Sequence, residues 1–243
     1  MKITYIYHSC FAVEMETAIF VFDYFKGELP EFDPKKKLYV FSSHKHHDHF
    51  TMEIFERFKG YEDCKFILSK DIKLSANYLE RHHVSEKSIA QIQKIGKNET
   101  LMIEEGENPL KIETLTSTDE GVAFIVTYEG KTIYHAGDLN WWSWQGETEE
   151  EYTDMTSRFM KEMKKIEGRH FDVAFVVLDP RQEERYWWGF DCFMRATDTD
   201  AVFPMHCWER YEIIDEMLKN EKAADYREKI YKMDKEGMER YIK

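Results

Sequence analysis

A seven-residue segment concentrates side chains that can bind a metal ion. It runs Ser43-His44-Lys45-His46-His47-Asp48-His49 and holds four of the chain's ten histidines. His44 and His46 lie two positions apart in an extended stretch, so their side chains project to the same side. Asp48 and His49 follow where the chain turns, and they can approach the same point from another direction. Converging imidazole and carboxylate groups suit zinc, manganese or iron.

A histidine-rich loop can also be a solvated surface segment with no ligand, and two distant segments weigh against that interpretation. Residues 133–138 read as a strand that ends in Asp138 after a glycine. Residues 201–206 read as a strand that ends in His206. Together with the histidine-rich segment, these strand ends supply enough ligands for one or two divalent metal ions. The sequence therefore predicts a metal site.

Hydrophobic patterns predict the elements that position these residues. Short β-branched and aromatic runs at 3–7, 11–15 and 18–22 predict a meander of strands, and the apolar run 38–42 predicts a strand buried on both faces. Strands that are mingled with helices predict an α/β or α+β layered domain. Further strands are predicted near 64–68, 100–104, 110–116, 121–128, 131–136, 171–178 and 201–205. Helices are predicted at 71–80, 85–95, 148–166 and from 209 to the end.

Composition limits the classes of protein to which the chain can belong. Of its 243 residues, 42% are hydrophobic, which suits a globular protein. Its formal net charge of −13 repels nucleic-acid backbones and anionic membranes. The sequence shows no signal peptide, no apolar run long enough to span a bilayer and no CxxC pair, so we expect a cytoplasmic protein with reduced thiols. The lack of low-complexity stretches predicts one domain over residues 1–243.

The histidine motif resembles the signature HxHxDH of the metallo-β-lactamase-fold hydrolase superfamily. The superfamily's later aspartate and last histidine also have matches, and the resemblance covers residues 4 to about 207. It implies a four-layer αβ/βα sandwich in which two mixed sheets are flanked by helices. His8-Ser9 and the strand-end Asp23 further resemble the branch that includes ascorbate-6-phosphate lactonase and N-acyl-phosphatidylethanolamine phospholipase D. The six residues that match the superfamily's metal ligands are His44, His46, Asp48, His49, Asp138 and His206.

The resemblance implies two metal sites that share the later aspartate, and one of them lacks a ligand here. That site takes the first two histidines of the motif, the shared aspartate and a further histidine, whereas Ser117 stands nearest the further histidine's place. Asp119, Glu120 or a water molecule could fill the gap. The other site is complete. We therefore predict that one divalent ion binds tightly and that a second binds weakly or not at all.

Aromatic and basic residues near the candidate ligands predict a substrate pocket. Trp141 and Trp142 follow Asp138, while Arg181 and Trp187 follow the strand at 171–178. Tryptophans in such positions can instead be core or oligomer-contact residues, and arginines can be surface ion-pair partners. Arg181 could hold a phosphate or a carboxylate. The candidate substrate-binding residues are His8, Ser117, Trp141, Trp142, Arg181 and Trp187.

The resemblance and the ligand pattern together predict a metal-dependent hydrolase of a small ester, lactone or phosphoester. A bound ion would activate water, while Asp48 would act as a ligand, orient that water and serve as a candidate proton shuttle. Because Ser117 stands in the place of a histidine, an alternative interpretation is a degenerate member of the fold that binds a metal, a ligand or a partner without catalysis. A nuclease or phosphodiesterase is a further alternative, against which the acidic charge counts. The expected partner is a small-molecule substrate, and a homo-oligomer is compatible with the sequence.

Overall fold

The computed structural model describes residues 1–104 and 108–243. The chain divides into a first unit, residues 1–96 and 235–243, and a second unit, residues 97–234. Each unit contains one β-sheet. The single domain over residues 1–243 stays a prediction. Within the described ranges, no helix combines the length and the apolar character that crossing a membrane requires.

The strands and helices are numbered in chain order. The strands are β1 (Lys2–Tyr7), β2 (Cys10–Glu14), β3 (Ala18–Phe22), β4 (Lys37–Ser42), β5 (Cys64–Ser69), β6 (Ile92–Ile95), β7 (Thr100–Ile103), β8 (Leu110–Thr116), β9 (Val122–Tyr128), β10 (Lys131–His135), β11 (His170–Val177), β12 (Asp198–Met205) and β13 (Glu239–Tyr241). The α-helices are α1 (Glu53–Arg57), α2 (Ala76–Arg81), α3 (Glu86–Ala90), α4 (Glu149–Met163), α5 (Trp188–Ala196) and α6 (Glu212–Lys219). Short 3-10 helices span Pro180–Arg185, Glu221–Ala223 and Arg227–Lys229.

The first unit is built on a mixed sheet with the strand order β13-β1-β2-β3-β4-β5-β6. Strands β1 to β3 form the predicted antiparallel meander. Strands β3 to β6 run parallel, and α1, α2 and α3 lie in the crossover connections that parallel strands require. Strand β4 is buried from Leu38 to Ser42, as its continuous apolar run predicts.

Two of the predicted helices are wrong in part, and the correction has the same cause in both cases. In the segment 85–95, helix α3 ends at Ala90, and β6 pairs in parallel with β5. In the segment from 209 to the end, α6 and two 3-10 helices are followed by β13, which pairs antiparallel with β1. Pairing with a neighbouring strand overrides helical spacing, because the sheet satisfies the backbone polar groups of an edge segment.

The second unit is built on a mixed sheet with the strand order β12-β11-β10-β9-β8-β7. Strands β7 to β10 are antiparallel, and a Glu129-Gly130 turn joins β9 to β10 with φ of 49° and 73°, as two-residue hairpins require. Strands β10, β11 and β12 are parallel neighbours, so their carboxyl ends meet at one edge. Helix α4 begins with a capping box between Thr148 and Glu151.

Candidate metal centre

Asp23 organises the histidine motif of the first unit. It follows β3, is fully buried and accepts hydrogen bonds from the Ser43 backbone N–H at 2.7 Å and from Ser43 Oγ at 2.6 Å. Its Oδ2 also lies 2.7 Å from His49 Nδ1. An ionised carboxylate only accepts, so His49 donates from Nδ1 and its Nε2 lone pair is left for a metal ion.

His44 and His46 bring two imidazole nitrogens close together. His44 is fully buried, and its Nδ1 lies 3.0 Å from Ser43 Oγ. His44 Nε2 lies 3.1 Å from His46 Nδ1. Two nitrogens that bind one tetrahedral zinc ion at about 2.1 Å are about 3.4 Å apart. The spacing of the two nitrogens therefore fits a shared ion, as their positions in the motif predict.

Asp48 lies between two imidazole rings. Its Oδ2 is 3.7 Å from His49 Nε2 and 3.5 Å from His8 Nε2. His8 is buried, has a φ of 55° and donates its backbone N–H to Tyr5 Oη. His8, Asp48 and His49 each offer a ligand atom within 4.8 Å of the others. The structure thus places His8, a predicted substrate-binding residue, among the candidate ligands.

The second unit repeats the pairing of a buried carboxylate with a histidine. His206 follows β12 with a φ of 65°, and its Nδ1 lies 2.9 Å from Oδ2 of the fully buried Asp179, which follows β11. His206 Nε2 lies 3.4 Å from Oδ1 of Asp138, which follows β10. Burial raises the pKa of Asp179, but hydrogen bonds from His206 and Arg181 outweigh it and lower the pKa from 3.8 to about 2. Asp179 therefore stays ionised and fixes the ring of His206.

A buried polar network holds the loop that carries Asp138. Thr118 Oγ1 donates to the Asn140 carbonyl at 2.6 Å and accepts from its N–H at 3.0 Å. Asn140 Nδ2 donates to Gln182 Oε1 at 2.7 Å, and Trp142 Nε1 donates to the Asp138 carbonyl at 3.0 Å. Because these bonds fix both ends of the loop, the position of Asp138 depends on residues far away in sequence.

Ser117 is buried, and its hydroxyl accepts a hydrogen bond from the Asp119 backbone N–H at 3.2 Å. Asp119 and Asp138 each offer a carboxylate oxygen, and the two oxygens lie within 4.8 Å of each other. Ser117 therefore orients the segment that brings Asp119 to Asp138. Of the two acidic residues that could replace the missing histidine, the geometry favours Asp119.

The predicted pocket residues have different surroundings. Trp142 and Arg181 line a cavity beside Asp138. Trp141 donates its indole N–H to Thr156 and stacks on Phe159 of α4, with ring centroids 5.9 Å apart. Trp187 packs against Trp188 and lines neither of the two cavities near Asp138.

The sequence interpretation missed several residues that the structure brings to these sites. Asp179 was not singled out, although an aspartate directly after a buried strand is the signal that had identified Asp138. Met155 lines the cavity beside Trp144, and its helix was predicted at 148–166, but no local pattern places that helix beside Asp138. Burial raises the pKa of the Cys207 thiol well above its usual value, so the neighbour of His206 is a neutral core residue, as predicted.

The donor set fits a divalent transition metal. The first unit offers the imidazoles of His44, His46 and His49 and the carboxylate of Asp48. The second unit offers one imidazole and two carboxylates, with Asp179 as the outer hydrogen-bond partner. Mixed imidazole and carboxylate sites suit zinc, manganese and iron, and histidine ligands with a carboxylate behind them are typical of such sites.

A model of the Beta-lactamase superfamily domain matches residues 2–154. The fold is similar to that of Igni18, a metallo hydrolase from the archaeon Ignicoccus hospitalis, at 19% identity over 100% of this chain and 99% of that one, with a TM-score of 0.58. It is also similar to an isothiocyanate hydrolase from Delia radicum gut bacteria (14% identity, 100% and 99% coverage, TM-score 0.53). Human tRNase Z, short form, matches at 12% identity with 100% coverage of both chains and a TM-score of 0.55. These likenesses confirm the predicted fold class of two mixed sheets flanked by helices, while the lactonase-like branch stays a prediction.

Proposed function

Because the chain belongs to the beta-lactamase superfamily, we propose that it is a metal-dependent hydrolase that uses activated water to cleave a small ester, lactone or phosphoester. One observation carries the proposal. Each unit contains a histidine whose Nδ1 is held by a fully buried aspartate and whose Nε2 lies beside a second aspartate, at 3.7 Å for His49 and 3.4 Å for His206. Such an arrangement supports metal ligation, because the hydrogen bond at Nδ1 fixes both the tautomer and the direction in which Nε2 points.

We assign the metal ligands by combining the family pattern with the geometry of each unit. We add Asp119 to the six residues that match the family pattern, since its carboxylate approaches that of Asp138 where the family has a histidine. One or two ions of zinc, manganese or iron fit this set, and a bound ion would lower the pKa of water and polarise the scissile group. The proposed ligands are His44, His46, Asp48, His49, Asp119, Asp138 and His206.

The chain's own residues would hold the reacting groups in place. Asp23 and Asp179 fix the rings of His49 and His206, so the Nε2 atoms of both rings keep one orientation. Asp48 is the candidate for moving a proton to the leaving group, since its side chain is only 11% exposed and lies against two imidazoles. The net charge of −13 supports a small-molecule substrate rather than a nucleic acid.

Elemental analysis of protein purified without a histidine tag tests the ligand assignment. We expect at least about one equivalent of metal in the wild type, with His206→Ala and Asp48→Ala lowering the metal content and reducing ester turnover by about a thousandfold or more. His47→Ala is the matched control inside the motif, because the His47 side chain is 90% exposed. Equal metal loss in His47→Ala, or full turnover by the other two variants, would refute the assignment. Metal without turnover of any ester, lactone or phosphoester would favour a binding protein.

A further inference from the structure

A cavity of about 240 Å³ in the second unit opens beside Asp138. Its wall includes Trp142, Trp144, Met155 and Arg181. A neighbouring cavity of about 440 Å³ shares Trp142, Trp144 and Met155. A substrate whose scissile bond lies next to Asp138 can therefore place another of its groups in this space.

The wall is a pair of parallel indole rings. Trp142 and Trp144 stack with ring centroids 5.8 Å apart and planes inclined by 7°. Trp142 is fixed, because it is 7% exposed and donates its N–H to the Asp138 carbonyl. Trp144 is 39% exposed. A flat apolar group that stacks on these rings would cover indole surface now in contact with water, which is favourable.

The charges around the cavity oppose a phosphate or a carboxylate. Arg181 donates from Nε to both oxygens of the ionised Asp179 at 3.0 and 2.9 Å, and its guanidinium lies over Trp208. Arg158, in the neighbouring cavity, donates to the Asp154 carboxylate at 2.9 Å. Among the described lining residues, each of these cations is already paired with an acid. Asp119 and Asp138 add two more carboxylates to the wall.

From these contacts we propose that the cavity binds an uncharged, flat, apolar group of the substrate, such as an aromatic ring, and that Trp144 determines this specificity. The inference rests on the proposed hydrolase function for its biological use and narrows the substrate to neutral aryl-bearing esters or lactones. A cavity of about 150 Å³ holds benzene in another protein, so the space here accommodates one ring or two fused rings. The sequence interpretation had suggested an anionic group instead, because Arg181 could hold a phosphate or a carboxylate.

Binding of small probes tests the pocket without requiring turnover. Metal-loaded protein is titrated with benzamide, cyclohexanecarboxamide and benzenesulfonate, which differ in flatness or in charge, and each Kd is measured by ligand-detected NMR. We expect benzamide to bind about fivefold to tenfold more tightly than either of the others. Trp144→Leu should remove this preference and Trp144→Phe should keep it. Trp188→Leu is the matched control, since Trp188 lines neither cavity.

Hydrolysis of a matched ester series tests the same preference in the reaction. Methyl 3-phenylpropanoate, methyl 3-cyclohexylpropanoate and methyl 3-(4-sulfophenyl)propanoate share one reacting carbonyl, so kcat/KM compares only the distant group. We expect the phenyl ester to react fastest, by about fivefold or more, through a lower KM. Benzamide selectivity without turnover of any ester, lactone or phosphoester would uphold the pocket and refute the hydrolase. Equal or tighter binding of the sulfonate, or an unchanged preference in Trp144→Leu, would overturn the pocket proposal.

Discussion

The two units build the same pair of groups, a buried aspartate and a histidine, from opposite kinds of sequence. In the first unit the candidate ligands other than His8 lie within residues 44–49, and Asp23, which holds His49, follows β3. In the second unit Asp138, Asp179 and His206 follow three different strands and meet because those strands are parallel neighbours. A local motif can therefore reveal the candidate ligands of the first unit, while those of the second unit depend on topology.

The aspartates also differ in how they are satisfied. Asp23 accepts two hydrogen bonds from Ser43 and one from His49, and all of these groups are buried. Asp179 shares its charge between His206 and Arg181, whose side chain is 47% exposed. Loss of the Asp23 charge would leave the buried donors of Ser43 and His49 without an equivalent partner. Loss of the Asp179 charge would be less costly, because Arg181 can turn to solvent. The second pair should therefore tolerate change better than the first.

Asp23→Asn should have the largest effect on stability. The amide places one N–H against buried donors, so we expect the free energy of unfolding to fall by about 3 kcal/mol and metal affinity to fall by about 10-fold to 100-fold. Urea unfolding of chelator-treated protein measures the first quantity, and metal titration measures the second. Asp200→Asn, at an exposed position on β12, is the control and should change neither. A change below about 1 kcal/mol would show that Asp23 is not held as the distances indicate.

Asp179→Asn should lower metal affinity by a similar factor but stability by only about 1 to 2 kcal/mol. The smaller loss follows because the Arg181 side chain is already partly exposed and can be hydrated. The same two measurements, made beside Asp23→Asn, give the comparison directly. If Asp179→Asn proved the more destabilising variant, the argument from Arg181 exposure would be wrong.

Sequence alone predicted most of the strands and picked out the six residues that match the family's ligand pattern, but it did not predict what orients those side chains. The histidine motif was visible because its spacing is local, and Asp138 and His206 were visible as strand ends. Asp179 was missed, and Asp23 entered only through a resemblance, since neither residue has a local signal for the histidine it holds. The helix predicted over 85–95 failed for a related reason, because pairing of β6 with β5 is a tertiary event.

Asp119→Ala tests the residue proposed to act as a ligand where the family has a histidine. We expect it to weaken binding of a second metal equivalent by about tenfold or more, because a carboxylate ligand is lost. Glu120→Ala is the matched control at the adjacent acidic position and should leave both equivalents unchanged. Ser117→His should raise occupancy of the second equivalent. Each is measured by titration with manganese and zinc, and equal effects of the two alanine variants would remove Asp119 from the ligand set.

The smallest expected effect on stability comes from Asp172, which lies at the opposite end of β11 from Asp179. Burial raises the pKa of Asp172, but hydrogen bonds from Lys131 Nζ at 2.8 Å and the Thr132 N–H at 2.8 Å outweigh it and lower the pKa. A lowered folded-state pKa means that the stabilisation is present above the usual value of 3.8 and is lost as the pH falls below it.

Asp172→Asn should therefore lower the free energy of unfolding by only about 1 kcal/mol at pH 7, because Lys131 is partly exposed and solvent screens the pair. The loss should be smaller at pH 3, because acid already weakens the same interaction in the wild type. Urea unfolding of the wild type and the variant across this pH range measures the difference. Metal affinity should stay unchanged, which distinguishes this ion pair from the Asp179–His206 pair at the other end of the strand. A stability difference that grew toward low pH would reverse the sign argued here and show that burial of Asp172 outweighs its hydrogen bonds.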